Sequence, residues 1–303
     1  MESEHAHHHH VHGAAPRRTA AFAIATGLNL VFVVAEFIYG MLAHSMALVA
    51  DAAHNLGDVA GLLLAWGASV LARRRPTSTR TYGFGKATIL AALANALLLF
   101  MTVGGVAWEA IGRLSAPPEV EALTVIVIAA LGVVINGLGA ALFMRGHEDV
   151  NVRAAFLHLA ADTGVSVGVV LTGVVLFYTD WIWLDPVISL VISAVILYTT
   201  WSLLRESFNL SMDAVPRGVD IDEVKQFLRE LAGVIDVHDL HVWAMSTNEN
   251  ALTAHMVAEP EVDRAVLLQD IDEAMRERFA ICHSTIQIEP PDVDDCVSRH
   301  PGD

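Results

Sequence analysis

His54 and Asp58 stand four residues apart inside a long apolar stretch, and His158 and Asp162 repeat that spacing inside another. On a helix, residues i and i+4 share a face. Each pair would thus present an imidazole and a carboxylate together. An ionisable side chain at membrane depth costs about 2.5–3.5 kcal/mol for Asp, Lys or Arg, so four of them ask for a reason. Two such faces brought together offer two nitrogens and two oxygens, a donor set that suits a tetrahedral divalent ion, zinc above all. Both ligand types also bind protons, and metal competes with protons for them. A site so built releases metal to a proton-rich side and rebinds it once deprotonated, the histidines exchanging near neutral pH. The ligands themselves therefore predict metal/proton antiport. Asp51, a turn before His54, is expected either to hold an imidazole from behind or to accept a proton at the cavity mouth.

A second set of candidates lies towards the C-terminus. His238 and His241 fall in the stretch HDLHVW, residues 238–243; His255 follows, then His283 and Glu289. If 238 and 255 lie on paired strands, His238, His255 and Glu289 can converge on a zinc ion. Two other chemistries lack their signatures. There is no H-E-x-x-H helix for an intramembrane metalloprotease, and no G-x-x-x-x-G-K-[ST] loop for ATP drive. A non-transporting metal sensor is a third class; it would bind metal without moving it across a vesicle membrane.

The elements that must position these residues follow from composition. Of 303 residues, 54% are hydrophobic and only 17% charged, against about 25% charged in soluble domains. The shortfall comes from six apolar runs long enough to span a bilayer, at about 19–42, 45–72, 85–113, 120–144, 152–178 and 184–204. Arg17, Arg18, Arg73, Arg74, Arg75, Arg80, Lys86, Arg145, Arg153 and Arg205 fall at alternate ends of these runs. Basic residues mark the cytoplasmic side, so both termini are expected there. Trp181 and Trp183 read as interfacial anchors on the other side. Asn29, Glu36, Asn95, Glu109 and Asn136, lone polar residues on other spans, are expected to serve interhelical hydrogen bonds.

The net charge of −16 is concentrated after Met212. No basic stripe accompanies it, so nucleic acid is not an expected partner. Cys282 and Cys296 form no C-x-x-C pair and suit free thiols in a reducing compartment. The first apolar run is too long for the core of a signal peptide. Three domains are expected: a His-rich arm at 1–18, a six-helix transmembrane domain at 19–207, and a small α+β domain at 208–303. In the last, helices at 221–232 and 264–279 and strands at 234–245, 251–258 and 284–288 give an αββαβ order. The tail after Pro290 is expected to be mobile. His5 to His12, interrupted by Ala6 and Val11, reads as an expression tag or as a weak metal-collecting arm.

Together these residues resemble the cation diffusion facilitator family of zinc transporters, over nearly the whole chain. The stretches that carry the resemblance are SMALVADAAHNLGD at 45–58, YGFGK at 82–86, HLAAD at 158–162, HDLHVWAMSTNENALTAH at 238–255 and HSTIQIE at 283–289. The resemblance implies a homodimer of six-span protomers in the lipid bilayer, the cell inner membrane, each with a cytoplasmic ferredoxin-like domain. It implies export of divalent cations from the cytoplasm in exchange for protons, by alternating access, and no enzymatic activity. It places the transport site on His54, Asp58, His158 and Asp162, in a version that looks zinc-preferring. It places a domain site on His238, His255 and Glu289, with His241 and His283 nearby. Zinc is then both cargo and regulatory ion. His5 to His12, or Cys296, would complete sites in the domain. Lys86 and Asp213 match a charge pair that ties membrane and cytoplasmic parts across the dimer. The loop at 73–81, RRRPTSTRT, departs from bacterial relatives that bind zinc there: it has no His, Asp or Glu, so no loop site is expected.

Overall fold

The computed structural model describes residues 16–143 and 150–291. The His-rich arm, Met144 at the end of the fourth expected span, Cys296 and the tail from 292 onward lie outside the described residues.

Six long helices come first: α1 (Pro16–Leu42), α2 (Met46–Ala72), α3 (Lys86–Arg113), α4 (Ala122–Phe143), α5 (Val150–Tyr178) and α6 (Leu184–Ser211). Five contain stretches long and apolar enough to cross a membrane, and α1 carries a shorter one, Asn29–Leu42. At 1.5 Å per residue, about 20 residues cover the roughly 30 Å hydrocarbon core. Met101, Trp108 and Tyr198 are 76%, 79% and 83% exposed, among many other large apolar side chains. Water would penalise so large an apolar surface, whereas lipid is its natural solvent. The chain is a multi-pass membrane protein.

α6 outruns its expected end at 204 and reaches Ser211. Beyond Pro186 in its first turn no Gly or Pro interrupts it, and Ser207 and Ser211 donate their hydroxyls to the carbonyls of Leu203 and Phe208, at 2.7 Å each. The helix stops where Asp213 turns left-handed, with φ 59°.

Two compact units divide the chain. One takes residues up to Val59 together with Val103–Ala194, and the other takes Ala60–Thr102 with Val195 onward. α2, α3 and α6 supply residues to both. In the first unit α5 packs along α4, and α1 packs against α4.

The second unit contains the αββαβ domain: α7 (Ile221–Arg229), β1 (Val234–Ala244), β2 (Asn250–Ala258), α8 (Arg264–Glu277) and β3 (Ile281–Glu289). The sheet order is β1-β2-β3, with the first pair antiparallel and the second parallel. Both helices start on an aspartate. Asp220 accepts from the N–H groups of Asp222 and Glu223, and Asp263 from those of Ala265 and Val266, each cap contributing about 1 kcal/mol. Val224 and Leu228 of α7 and Leu267, Ile271 and Met275 of α8 bury against Val237, Val242, Leu252, Ala254 and Met256. This core claims one face of the sheet. β3 begins at Ile281, three residues before its expected start, because Ile281 is fully buried and pairs with Asn250.

Gly233 joins α7 to β1 at φ +80°, and a Cβ there would stand 2.0 Å from Val262 Cγ2. Gly233→Ala is therefore expected to destabilise this domain by more than about 1 kcal/mol, strain and clash acting together. An unchanged urea midpoint for the domain's unfolding would contradict this.

Candidate metal sites

Spacing i,i+4 does on α2 and α5 what helical geometry requires. His54 Nε2 lies 3.6 Å from Asp58 Oδ2 and 3.4 Å from Asp162 Oδ1. His158 Nε2 lies 3.4 Å from Asp58 Oδ2 and 3.6 Å from Asp162 Oδ2. Each imidazole thus sits between both carboxylates, and each carboxylate between both imidazoles. A tetrahedral zinc with ligands at 2.0–2.1 Å has ligand–ligand edges of about 3.3–3.4 Å. The contacts of His54 with both carboxylates and of His158 with Asp58 come within a few tenths of an ångström of that; His158 meets Asp162 through its other oxygen, and His54, Asp58 and Asp162 bring one donor atom each within 4.8 Å of one another. Among the described residues, the buried atoms Asp58 Oδ2 and His54 Nδ1 find no hydrogen-bond partner in good geometry. An orphaned carboxylate oxygen between two imidazoles fits a cation's donor. The pocket is lopsided: the Asp162 side chain is 6% exposed, while that of His158 is 51% exposed.

Asp51 does not hold an imidazole. Its Oδ2 accepts from Ser166 Oγ at 2.8 Å and its Oδ1 from Asn55 Nδ2 at 3.4 Å, so it ties α2 to α5 beside the four ligands. Glu36, expected to hydrogen-bond between helices, is fully buried, and among the described residues neither oxygen meets a partner in good hydrogen-bond geometry.

The start of α2 is fixed by a residue that sequence reading passed over. Asp185, at the head of α6, accepts from Ser45 Oγ at 2.5 Å, from Met46 N at 2.7 Å and from Ala47 N at 3.4 Å. A carboxylate at a helix N-terminus satisfies its free donors and its dipole. Because α2 carries His54 and Asp58, Asp185 positions half of the ligand set. Asp185→Ala is expected to cost about 1–3 kcal/mol for each buried donor it orphans. This should appear as a lower melting temperature in detergent; an unaltered melt would count against the cap. On the same side, Arg113 is pinned by Glu109 at 3.0 Å and by the carbonyl of His44 at 2.9 Å.

The second site is built by a bulge. His238 pairs with His255, but the next pair along is His241 with Thr253. Asp239 and Leu240 therefore oppose Ala254 alone, and Asp239 takes φ 49°. Residues three apart on a regular strand point to opposite faces. The extra residue restores His241 to the face of His238 and His255, the one turned away from the helices. There His255 Nδ1 lies 2.9 Å from Glu289 Oε1, and His238 Nε2 lies 3.5 Å from Glu289 Oε2. The two rings stand 5.5 Å apart. Two imidazoles and a carboxylate are a donor set that zinc takes readily.

The bulge also turns Asp239 into the cluster. Its oxygens lie 3.0 Å from His241 Nε2 and 3.7 Å from His255 Nε2. Nothing in the residue types singled Asp239 out. The one available signal was that His238 and His241, three apart, can share a face only across a bulge. Nearby, burial would raise the Asp236 carboxyl. The hydrogen bond from Arg229 at 3.0 Å, with help from the Val237 N–H and the charges of Arg229 and His238, holds it below its ordinary value.

His283 does not join this site. It pairs with Ala251, six residues before Glu289 and so about 20 Å away along the strand. Its ring instead meets Tyr82 edge-on at 5.6 Å. Tyr82 belongs to a segment that docks on the C-terminal domain throughout. Lys86 Nζ reaches Asp213 at 2.6 Å, Thr247 N donates to Thr88 Oγ1 at 3.0 Å, and a Cβ on Gly85 would stand 2.7 Å from the Met245 carbonyl. The Lys86–Asp213 pair forms within one chain; half-exposed, it contributes about 0–1 kcal/mol.

Comparison with known proteins agrees over both parts of the chain. Residues 22–210 match the family described as the cation efflux transmembrane domain, and residues 216–291 match the cation efflux protein cytoplasmic domain. The metal cation efflux system protein CzcD of Cupriavidus metallidurans is 36% identical over 284 residues, 93% of this chain and 89% of that protein. The zinc transporter ZitB of Escherichia coli is 37% identical over 278 residues, 91% of this chain and 87% of that protein. A solved structure, the metal-bound C-terminal domain of the CzcD transporter, is 35% identical, covering 23% of this chain and 99% of that one, with a TM-score of 0.23.

Proposed function

This chain belongs to the cation efflux family, a family of transporters rather than enzymes, and on that premise we propose that it exports zinc from the cytoplasm in exchange for protons. The observation that carries the reading is the ring of alternating imidazole and carboxylate, with its four edges of 3.4–3.6 Å. A donor set of two imidazole nitrogens and two carboxylates favours zinc over magnesium or calcium, which take more oxygens. The similarity to a zinc transporter, ZitB, points the same way.

The ligands belong to two helices, α2 and α5. A modest change in the packing of these helices would open the site to one side and then to the other, which is alternating access. Protons arriving from the acidic side displace zinc; deprotonation on the cytoplasmic side restores the ligands. The basic residues flanking the spans support cytoplasmic termini in the cell's inner (plasma) membrane, and Arg113, on the opposite side, is neutralised locally by Glu109. The working unit is a homodimer, paired through the cytoplasmic domain. Metal on His238, His255 and Glu289 favours one dimer arrangement, so that domain senses the cargo.

Zinc uptake into proteoliposomes with and without an imposed pH gradient tests the reading. Uptake that follows the gradient and stops when it collapses is expected. Tight zinc binding without any flux would instead make the protein a metal sensor.

A further inference from the structure

One buried polar group takes no part in holding metal. Glu36, on α1, has no exposed surface, and among the described residues neither oxygen meets a partner in good hydrogen-bond geometry. The polar groups facing it are Asp51 and Asn55 of α2. Asp51 is equally buried, and it accepts from Ser166 of α5 and from Asn55. Among the described residues, Asp51 is the titratable group that faces Glu36. Those that face Asp51 are Glu36, His54 on its own helix and Asp162 on α5. No Lys or Arg is among them. Phe32, a turn before Glu36, and Gly132 of α4 close in beside Ser166: a Cβ on Gly132 would stand 3.2 Å from both Phe32 Cζ and Ser166 Oγ.

An ionised carboxylate in an apolar interior needs a cation, a donor or a proton. Two adjacent carboxylates without a cation cannot both stay ionised. Asp51 accepts from Ser166 and Asn55, whereas no cation stands beside Glu36, so a single proton held between Glu36 and Asp51 relieves both. We propose that the Glu36–Asp51 pair is a proton-binding site distinct from the metal ligands, loaded when the four-ligand site holds no zinc and emptied when zinc binds one helical turn away. The coupling is electrostatic. A dication beside His54 lowers the cost of the second negative charge on the pair, and the proton leaves to water. When zinc departs, the pair takes a proton back.

This site rests on the antiport reading, and one set of measurements separates the two. In purified dimeric protein, zinc is titrated in weak buffer while released protons are counted with a pH-indicator dye. Glu36→Gln keeps the shape of the neutral carboxyl but carries no exchangeable acid proton. The variant is expected to bind zinc while releasing about one proton fewer per zinc than the wild type. In proteoliposomes its zinc flux should respond less steeply than the wild type's to an imposed pH gradient. If Glu36→Gln releases as many protons as the wild type and responds equally to the gradient, the pair is overturned and antiport stands. If the wild type itself ignores the gradient, antiport falls and the pair with it. Infrared difference spectra of the wild type cover the case in which the variant does not fold. A protonated-carboxyl band lost on adding zinc supports the pair, and its absence at neutral pH overturns it.

Discussion

Asp162→Ala is expected to lower zinc flux by on the order of 100-fold or more, since even loss of a group behind a ligand costs about 10–100-fold in metal affinity. Asp162 is the most buried of the four ligands, and it borders both histidines, at 3.4 Å and 3.6 Å. Removing it deletes two of the four His–Asp edges and leaves His54, largely buried, without one of its two anionic neighbours. His158→Ala should cost less of the fold, because that ring is half-exposed, but as much of the transport. The wild type should also bind zinc more weakly as pH falls, because a protonated imidazole has no lone pair for the metal. Flux assays and zinc titrations at several pH values on folded, dimeric protein check both statements. Wild-type flux from Asp162→Ala would move the ion off this site.

The meeting of His54 and Asp58 with His158 and Asp162, the transport site proposed above, was legible in the sequence because helical geometry is rigid. Once 45–72 and 152–178 read as spans, spacing i,i+4 fixed the faces of His54 with Asp58 and His158 with Asp162, and only their meeting remained to be seen. The αββαβ order was legible for a similar reason: alternation marked the strands, and Gly233 marked the break. Strand register was legible only in part: His238 and His255 were expected on paired strands and do pair, but the bulge beside them was not foreseen. Register depends on hydrogen bonds between distant segments, and a single extra residue at Asp239 reverses which side chains share a face. So His241 and Asp239 come beside His255 on that face, while His283, equally plausible by type, ends about 20 Å away. Asp185 and Glu36 were hidden differently. Each looks like an isolated polar residue in an apolar run, and its role depends on which helix faces it, which periodicity within one helix cannot tell.

Glu289→Ala is expected to erase a large zinc-dependent stabilisation of the cytoplasmic domain. Glu289 is the residue common to both histidine contacts, at 2.9 Å and 3.5 Å, so its loss leaves two imidazoles with no shared anion. Zinc at a hundred times its dissociation constant stabilises a folded site by about 2.7 kcal/mol. For a domain of this size each kcal/mol moves the melting temperature by about 4–8 °C, so zinc should raise the domain's transition by about 10–20 °C. In Glu289→Ala most of that shift should vanish, while the zinc-free transition moves little, because Glu289 lies on the face turned away from the core. The same substitution separates a sensor from a passive store. A sensor's loss changes how transport rises with cytoplasmic zinc, whereas a store's loss leaves that curve unaltered. Scanning calorimetry with and without zinc, paired with flux at graded zinc concentrations, reads both. Equal zinc-induced shifts in wild type and variant would rule out the His238–His255–Glu289 face as a metal site. A lost shift with an unaltered flux curve would keep the metal there but deny it any control over transport.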